Sequence, residues 1–107
     1  MEKLLRNEIN YQENSIVSKH LIKENTGNIT LFALSKDEKI SEHTTPFDAF
    51  VFVLEGEIKI TLDKNAHVLT KDDFLIMPTN IPHALYGIEN CKFMLIMIKN
   101  IIEEGKK

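Results

Sequence analysis

Two histidines forty residues apart, His43 and His83, are the side chains in this sequence best placed to do chemistry. His43 opens the run His43-Thr-Thr-Pro-Phe-Asp-Ala49, which leads into Val53-Leu-Glu-Gly56, and His83 closes Pro78-Thr-Asn-Ile-Pro-His83. Imidazole binds divalent metals as a neutral ligand and exchanges a proton near neutral pH. A pair brought to one cavity could hold a metal, hydrogen-bond a carboxylate or hydroxyl, or act as a general base. Side chains on a strand alternate between faces, so Thr45 shares a face with His43, and Leu85 shares one with His83. Beyond Pro46, Ala49, Val51 and Val53 lie together on one face. The expected pocket is His43, Thr45, Ala49, Val51, His83 and Leu85: two imidazoles, a hydroxyl and aliphatic walls.

Two histidines form a short ligand set. Zinc sites usually take three or more protein ligands, and non-haem iron commonly takes two histidines and a carboxylate. The missing ligand has few sources. His20 stands on a strand whose register the sequence does not define. Glu42 is on the wrong alternation relative to His43, and Asp48, beside Ala49, points away. A divalent metal (zinc, iron, nickel or manganese) at His43 and His83 is therefore expected to be weakly held. The alternative is a pair of buried neutral imidazoles bonded to each other, to a carbonyl or to water. His67, beside a turn, reads as a packing or surface residue, and Cys91 as a small buried hydrophobe. Tyr11 and Tyr86 are candidates for the cavity mouth.

The elements that must position these residues are short strands broken by turn residues, as in an all-β sandwich or barrel. Strands are expected over 15–24, 29–34, 40–45, 48–55, 58–62, 66–69, 74–77, 83–87 and 92–98, with hardly any helix. Asn25-Thr-Gly27, Asp63-Lys-Asn65 and Lys71-Asp-Asp73 supply turns, and Gly56 sits where a positive φ is needed. Residues 1–12 read as an extended arm or a short helical turn, 13–99 as one β-barrel domain, and 100–107 as a charged tail.

The two histidine fragments resemble the motifs of the cupin superfamily in its small single-domain form. One motif, G-x5-H-x-H-x3-E-x6-G, places its first histidine on His43 and its last glycine on Gly56 without a gap. The other, G-x5-P-x-G-x2-H-x3-N, places its proline on Pro78 and its histidine on His83. The resemblance covers about residues 30 to 98 and implies a small antiparallel jelly-roll β-barrel. It also implies a metal site whose remaining ligands would stand at positions 45 and 49. Those positions hold Thr45 and Ala49. Asp37, Asp72 and Asn80 replace motif glycines, and Gly87 replaces the closing asparagine; Asp and Asn tolerate the left-handed region better than other non-glycine residues.

A chain of 107 residues is one domain's worth. Its net charge of -3 and pI near 5.8 leave no basic footprint for nucleic acid. One cysteine excludes an intrachain disulfide. The sequence shows neither a signal-peptide pattern nor a membrane-spanning run, so a cytoplasmic protein without nucleic-acid or membrane partners is expected. Phe50 and Phe52, at strand spacing, together with Met94 and Met97, read as inter-sheet or subunit packing, and a homodimer is expected. The preferred function is binding of a small-molecule ligand around the two histidines, with a weakly held divalent metal as a possible companion. The alternative is a metal-dependent enzyme of the oxygenase or isomerase type.

Overall fold

A computed structural model of the protein describes residues 3–100. After a 3-10 turn at Leu5–Asn7 come β1 (Ile16–Glu24), β2 (Gly27–Leu34), β3 (Lys39–His43), β4 (Phe47–Glu55) and β5 (Glu57–Leu62). β6 (Asn65–Thr70), β7 (Phe74–Met77), β8 (His83–Gly87) and β9 (Cys91–Lys99) complete the strands. They form two antiparallel sheets, ordered β1-β2-β9-β4-β7 and β3-β8-β5-β6. Only the β1–β2 and β5–β6 connections stay within one sheet; every other connection crosses to the opposite sheet. That wrapping makes a jelly roll and brings residues distant in sequence to one interior.

Period-two patterning explains which side chains fill that interior. On β4, Ala49, Val51 and Val53 face inward and are buried with Leu34, Ile58, Ile60, Cys91 and Phe93 from the neighbouring strands. The intervening Phe52 and Leu54 face outward, where Leu31, Ala33 and Ile9 of the N-terminal arm form a second apolar cluster. β4 is therefore apolar on both sides, which is why its sequence reads as a continuous run. Fully burying each Val, Leu, Ile or Phe among these contributes about 1.5–3 kcal/mol. Cys91 lies wholly in the inner core, and burial pushes its thiol up to about 12.

Polar bonds seat the arm. The Tyr11 hydroxyl donates to Glu55 Oε2 at 2.7 Å. Lys92 Nζ donates to the Arg6 carbonyl at 2.6 Å and lies 5.0 Å from the centre of the Tyr11 ring. Burial and the Glu55 carboxylate hold the Tyr11 phenol well above its usual range. Tyr11 thus belongs to the outer face of the larger sheet and not to a cavity mouth. The tail expected over 100–107 lies, apart from Asn100, outside the described residues. Among the described residues no helix is long and apolar enough to cross a membrane.

Turn chemistry accounts for the departures from the motif glycines. Asp37 (φ 72°), Asp72 (φ 72°) and Asn80 (φ 63°) all adopt the left-handed conformation that glycine would take there. Replacing Asn80 by glycine is expected to leave stability within about 0.5 kcal/mol, whereas Asn80→Val loses about 1–2 kcal/mol. Urea unfolding of the two variants checks this, and equal midpoints would contradict it. One strand boundary differs from expectation with a consequence for the site: β3 ends at His43 and does not reach Thr45. The Thr45 carbonyl accepts from Asn80 N at 2.9 Å, and Thr45 Oγ1 accepts from Phe47 N at 3.1 Å. These bonds, beside a proline that has no amide hydrogen to donate, turn the chain toward β4.

Candidate functional site

β3 and β8 lie side by side, with His43 directly opposite His83. Ile40 pairs with Leu85, so three steps along β3 match two along β8, and the extra residue is a β-bulge. Strict alternation would place Ile40 and His43 on opposite faces. The bulge puts both on the inner one, beside Leu85 and His83.

The two rings meet edge to face, their centres 4.2 Å apart, with 3.0 Å between the two Nε2 atoms. Nδ1 of His43 lies 2.8 Å from the Ser41 carbonyl, and Nδ1 of His83 lies 3.1 Å from the Ile81 carbonyl. A carbonyl oxygen only accepts, so each Nδ1 carries its proton and each neutral ring directs its Nε2 lone pair at the other. Two lone pairs at 3.0 Å repel unless a cation lies between them, either a proton shared by the rings or a metal ion. His83 is almost fully buried while His43 reaches solvent. Burial, reinforced by the adjacent His43, depresses the His83 pKa below 6.5, although its bond to the Ile81 carbonyl opposes this. The interior thus disfavours a protonated His83.

A sewn loop fixes the pair. Asp48 Oδ1 accepts from Thr79 N at 3.0 Å and Thr79 Oγ1 at 2.9 Å, while Asp48 Oδ2 accepts from Asn100 Nδ2 at 3.1 Å. Those bonds, the Thr79 backbone bond foremost, hold the Asp48 carboxyl below the usual carboxylate range. With Asn80 N bound to the Thr45 carbonyl, the loop is tied at two points just before Ile81, whose carbonyl sets the His83 ring.

Behind the imidazoles lies a cavity of 290 Å³. Phe32, Phe93, Leu95 and Met97 line it from the larger sheet. Ile40, Leu85 and Met77 complete its apolar wall, so His43 and His83 are its polar end. Two nitrogens 3.0 Å apart can both reach a metal about 2.1 Å from each, and their tautomers suit a metal ligand. Among the described residues no third His, Cys, Asp or Glu joins them. The donor set fits a metal whose remaining coordination comes from a bound molecule or solvent.

Residues 30–98 match the family model for the Cupin domain, Cupin_2. The chain belongs to the cupin family. A cupin superfamily protein from Desulfitobacterium hafniense superposes with a TM-score of 0.90 at 28% identity, over 94% of this chain and 92% of that one. A Cupin 2 conserved barrel domain protein from Leptotrichia buccalis gives a TM-score of 0.84 at 37% identity, over 89% of this chain and 46% of that one. Polyketide synthase CurC of Streptomyces cyaneus is 31% identical over 64 residues, 59% of this chain and 42% of that protein. This chain therefore matches less than half the length of that curated relative.

Seen as a cupin, the chain keeps His43 and His83 together, with Leu85 beside them in the cavity wall. Thr45 falls outside that wall because β3 ends before it and its hydroxyl bonds within the turn. Ala49 and Val51 face inward, but they pack against β7, opposite Met77 and Leu75, outside the cavity lining. His20 is exposed on β1, its Nδ1 2.8 Å from Thr30 Oγ1, and Asp48 is engaged by Thr79 and Asn100. Tyr86 lies on the outer face of the smaller sheet, its hydroxyl bonded to Asp37 and its ring beneath Lys59, away from the cavity. Sequence reasoning missed Phe32, Phe93, Leu95 and Met97 as wall residues. The signal was the inward alternation of β2 and β9, hidden because β9 is apolar on both faces.

Proposed function

We propose that this cupin binds a small, largely apolar molecule that presents one acidic or metal-chelating oxygen group to His43 and His83, with a divalent metal held weakly between them. The observation that carries this reading is the pair of converging Nε2 atoms, each with its Nδ1 committed to a carbonyl, at the polar end of an otherwise apolar cavity. Such a pair supplies acceptors and no donor, so it suits an acidic hydroxyl, whose proton it takes, or a cation. The apolar wall favours a hydrocarbon or aromatic body over a sugar. A metal there would polarise a bound oxygen as a Lewis acid.

The converging Nε2 atoms also suit a second reading, a metal-dependent enzyme of the oxygenase or isomerase type. In that reading His43 and His83 hold the metal, the apolar wall orients a carbon skeleton, and the buried side excludes water. The fold alone does not separate the two.

The test is elemental analysis and native mass spectrometry of untagged protein, followed by titration with 4-propylphenol, propylbenzene and glucuronate. The expected result is substoichiometric metal and saturable binding of the phenol, with affinity falling at least tenfold in the His43→Ala, His83→Ala double variant. Near-stoichiometric iron, zinc, nickel or manganese that survives purification and vanishes in the double variant would replace this reading with the enzyme one. Equal affinity of parent and double variant for the phenol would remove the histidines from the site.

A further inference from the structure

The inner face of the larger sheet carries a second polar group, beside the cavity wall. Thr30, on β2, is 3% exposed and is the most deeply buried polar side chain among the described residues. Its single hydroxyl proton goes to Asn28 Oδ1 at 3.0 Å. His20 Nδ1, 2.8 Å away on the other side, is then the donor to Thr30 Oγ1. That fixes the His20 tautomer and leaves its Nε2 with a free lone pair at an exposed position. At the other end Asn28 Oδ1 is taken, and its amide Nδ2 makes no side-chain hydrogen bond among the described residues.

Strand pairing places these three residues next to the site. Thr30 stands opposite Leu95 and Asn28 opposite Met97, and directly opposed side chains share a face. Leu95 and Met97 line the cavity whose polar end is His43 and His83. His20 pairs with Thr30 one strand further out, on β1. β3, which carries His43, faces β2 across the cavity, since Ile40 and Phe32 line the same space. β1 and β3 are the outermost strands of their sheets, so His20 and His43 flank one gap between two edges. Stability does not call for this chain of bonds, because apolar groups of the same shape would serve nearly as well.

We propose that His20, Thr30 and Asn28 form a second contact point for the ligand of this cavity, an assignment that rests on the reading of His43 and His83 given above. They select a hydroxyl on the end of the molecule remote from the histidine pair. Nε2 of His20 accepts and Nδ2 of Asn28 donates, and a hydroxyl is a small group that does both. A carboxylate has no proton for Nε2, and a methyl group leaves both nitrogens unbonded. The ligand class is therefore a phenol, or another acidic hydroxyl, joined through a short hydrocarbon to an alcohol. Two steps of the usual strand spacing put β1 about 10 Å from β9, a span that a phenol with a short alkyl chain covers.

Isothermal titration calorimetry tests this with 4-propylphenol, 4-butylphenol and the analogue of each whose chain ends in a primary alcohol. The readout is the affinity of the alcohol relative to the alkyl phenol of the same chain length, within one protein. In the parent, the alcohol of at least one chain length is expected to bind at least fivefold more tightly than its alkyl counterpart. Thr30→Val and His20→Ala are each expected to bring that ratio below about two, whereas Thr30→Ser, which keeps the hydroxyl, retains it. Should Thr30→Val lose its fold, His20→Ala at its exposed position carries the test. A parent that binds the alkyl phenols without preferring the alcohols would overturn this inference and leave the reading of the histidine pair intact. A parent that binds none of these probes would overturn both. A preference unchanged in His20→Ala, or lost in a folded Thr30→Ser protein, would assign the three residues to strand pairing alone and overturn the proposal.

Discussion

Gly56→Ala is expected to destabilise the barrel by roughly 2–4 kcal/mol or more, a large share of what a domain of this size possesses. Gly56 turns the chain from β4 in one sheet to β5 in the other with φ at 86°, a conformation that any Cβ strains. The added methyl would also overlap the Asn90 carbonyl oxygen and lie 2.6 Å from Cys91 Cα. Both are backbone atoms at the start of β9, the strand between β2 and β4, so relief requires moving a central strand. Strain and overlap act on one atom, which distinguishes Gly56 from Asn80, where a side chain is already accommodated at positive φ. Urea unfolding monitored by circular dichroism measures the effect. A variant within 1 kcal/mol of the parent would show that the corner yields, and the account of this turn would be wrong.

The other large effect concerns pH. In the metal-free protein, stability is expected to hold above about pH 6.5 and to fall as pH drops below it, by up to about 1.4 kcal/mol per pH unit for one linked proton. The sign follows from His83. Its pKa in the folded state is depressed, chiefly by burial, from an ordinary value of 6.5, so the unfolded chain takes up a proton before the native one does. Above that value both states leave the ring neutral and nothing is lost. Below it, protonation favours the unfolded chain until the folded pKa is also passed. His83→Asn keeps a donor for the Ile81 carbonyl and removes the titration, so its stability is expected to be flatter across this window. Because a metal ligand must be the neutral ring, added zinc should raise the parent's midpoint near neutral pH and lose that effect on acidification. A parent profile flat from pH 7.5 to 5.5, or a variant profile as steep as the parent's, would contradict this account.

Much of the architecture was legible because it rests on local rules. Alternating apolar residues, turn-forming Asp, Asn and Gly, and a proline after His43 locate nine strands within a residue or two of their observed ends. The left-handed Asp72 and Asn80 follow from side chains that tolerate positive φ, and the buried state of Cys91 follows from its apolar neighbours. Alternation failed at two places, both near the site. Thr45 lies beyond the strand that carries His43 and outside the cavity lining, where bonds to Phe47 and Asn80 turn the chain. Ile40 does share the face of His43, because a bulge inserts a residue that no pattern of residue types marks.

The residue sequence by itself determined that two histidines would stand near strand ends in a single small jelly roll, since strand period, turn preference and motif spacing act over a few residues at a time. Only the tertiary structure decided that their Nε2 atoms meet at 3.0 Å with both Nδ1 atoms engaged, that the wall behind them comes largely from β2 and β9, and that Thr30 links His20 to Asn28 beside that wall. Those facts depend on cross-strand register and on which sheet each strand joins, quantities set by packing between segments about seventy residues apart and not by any one of them.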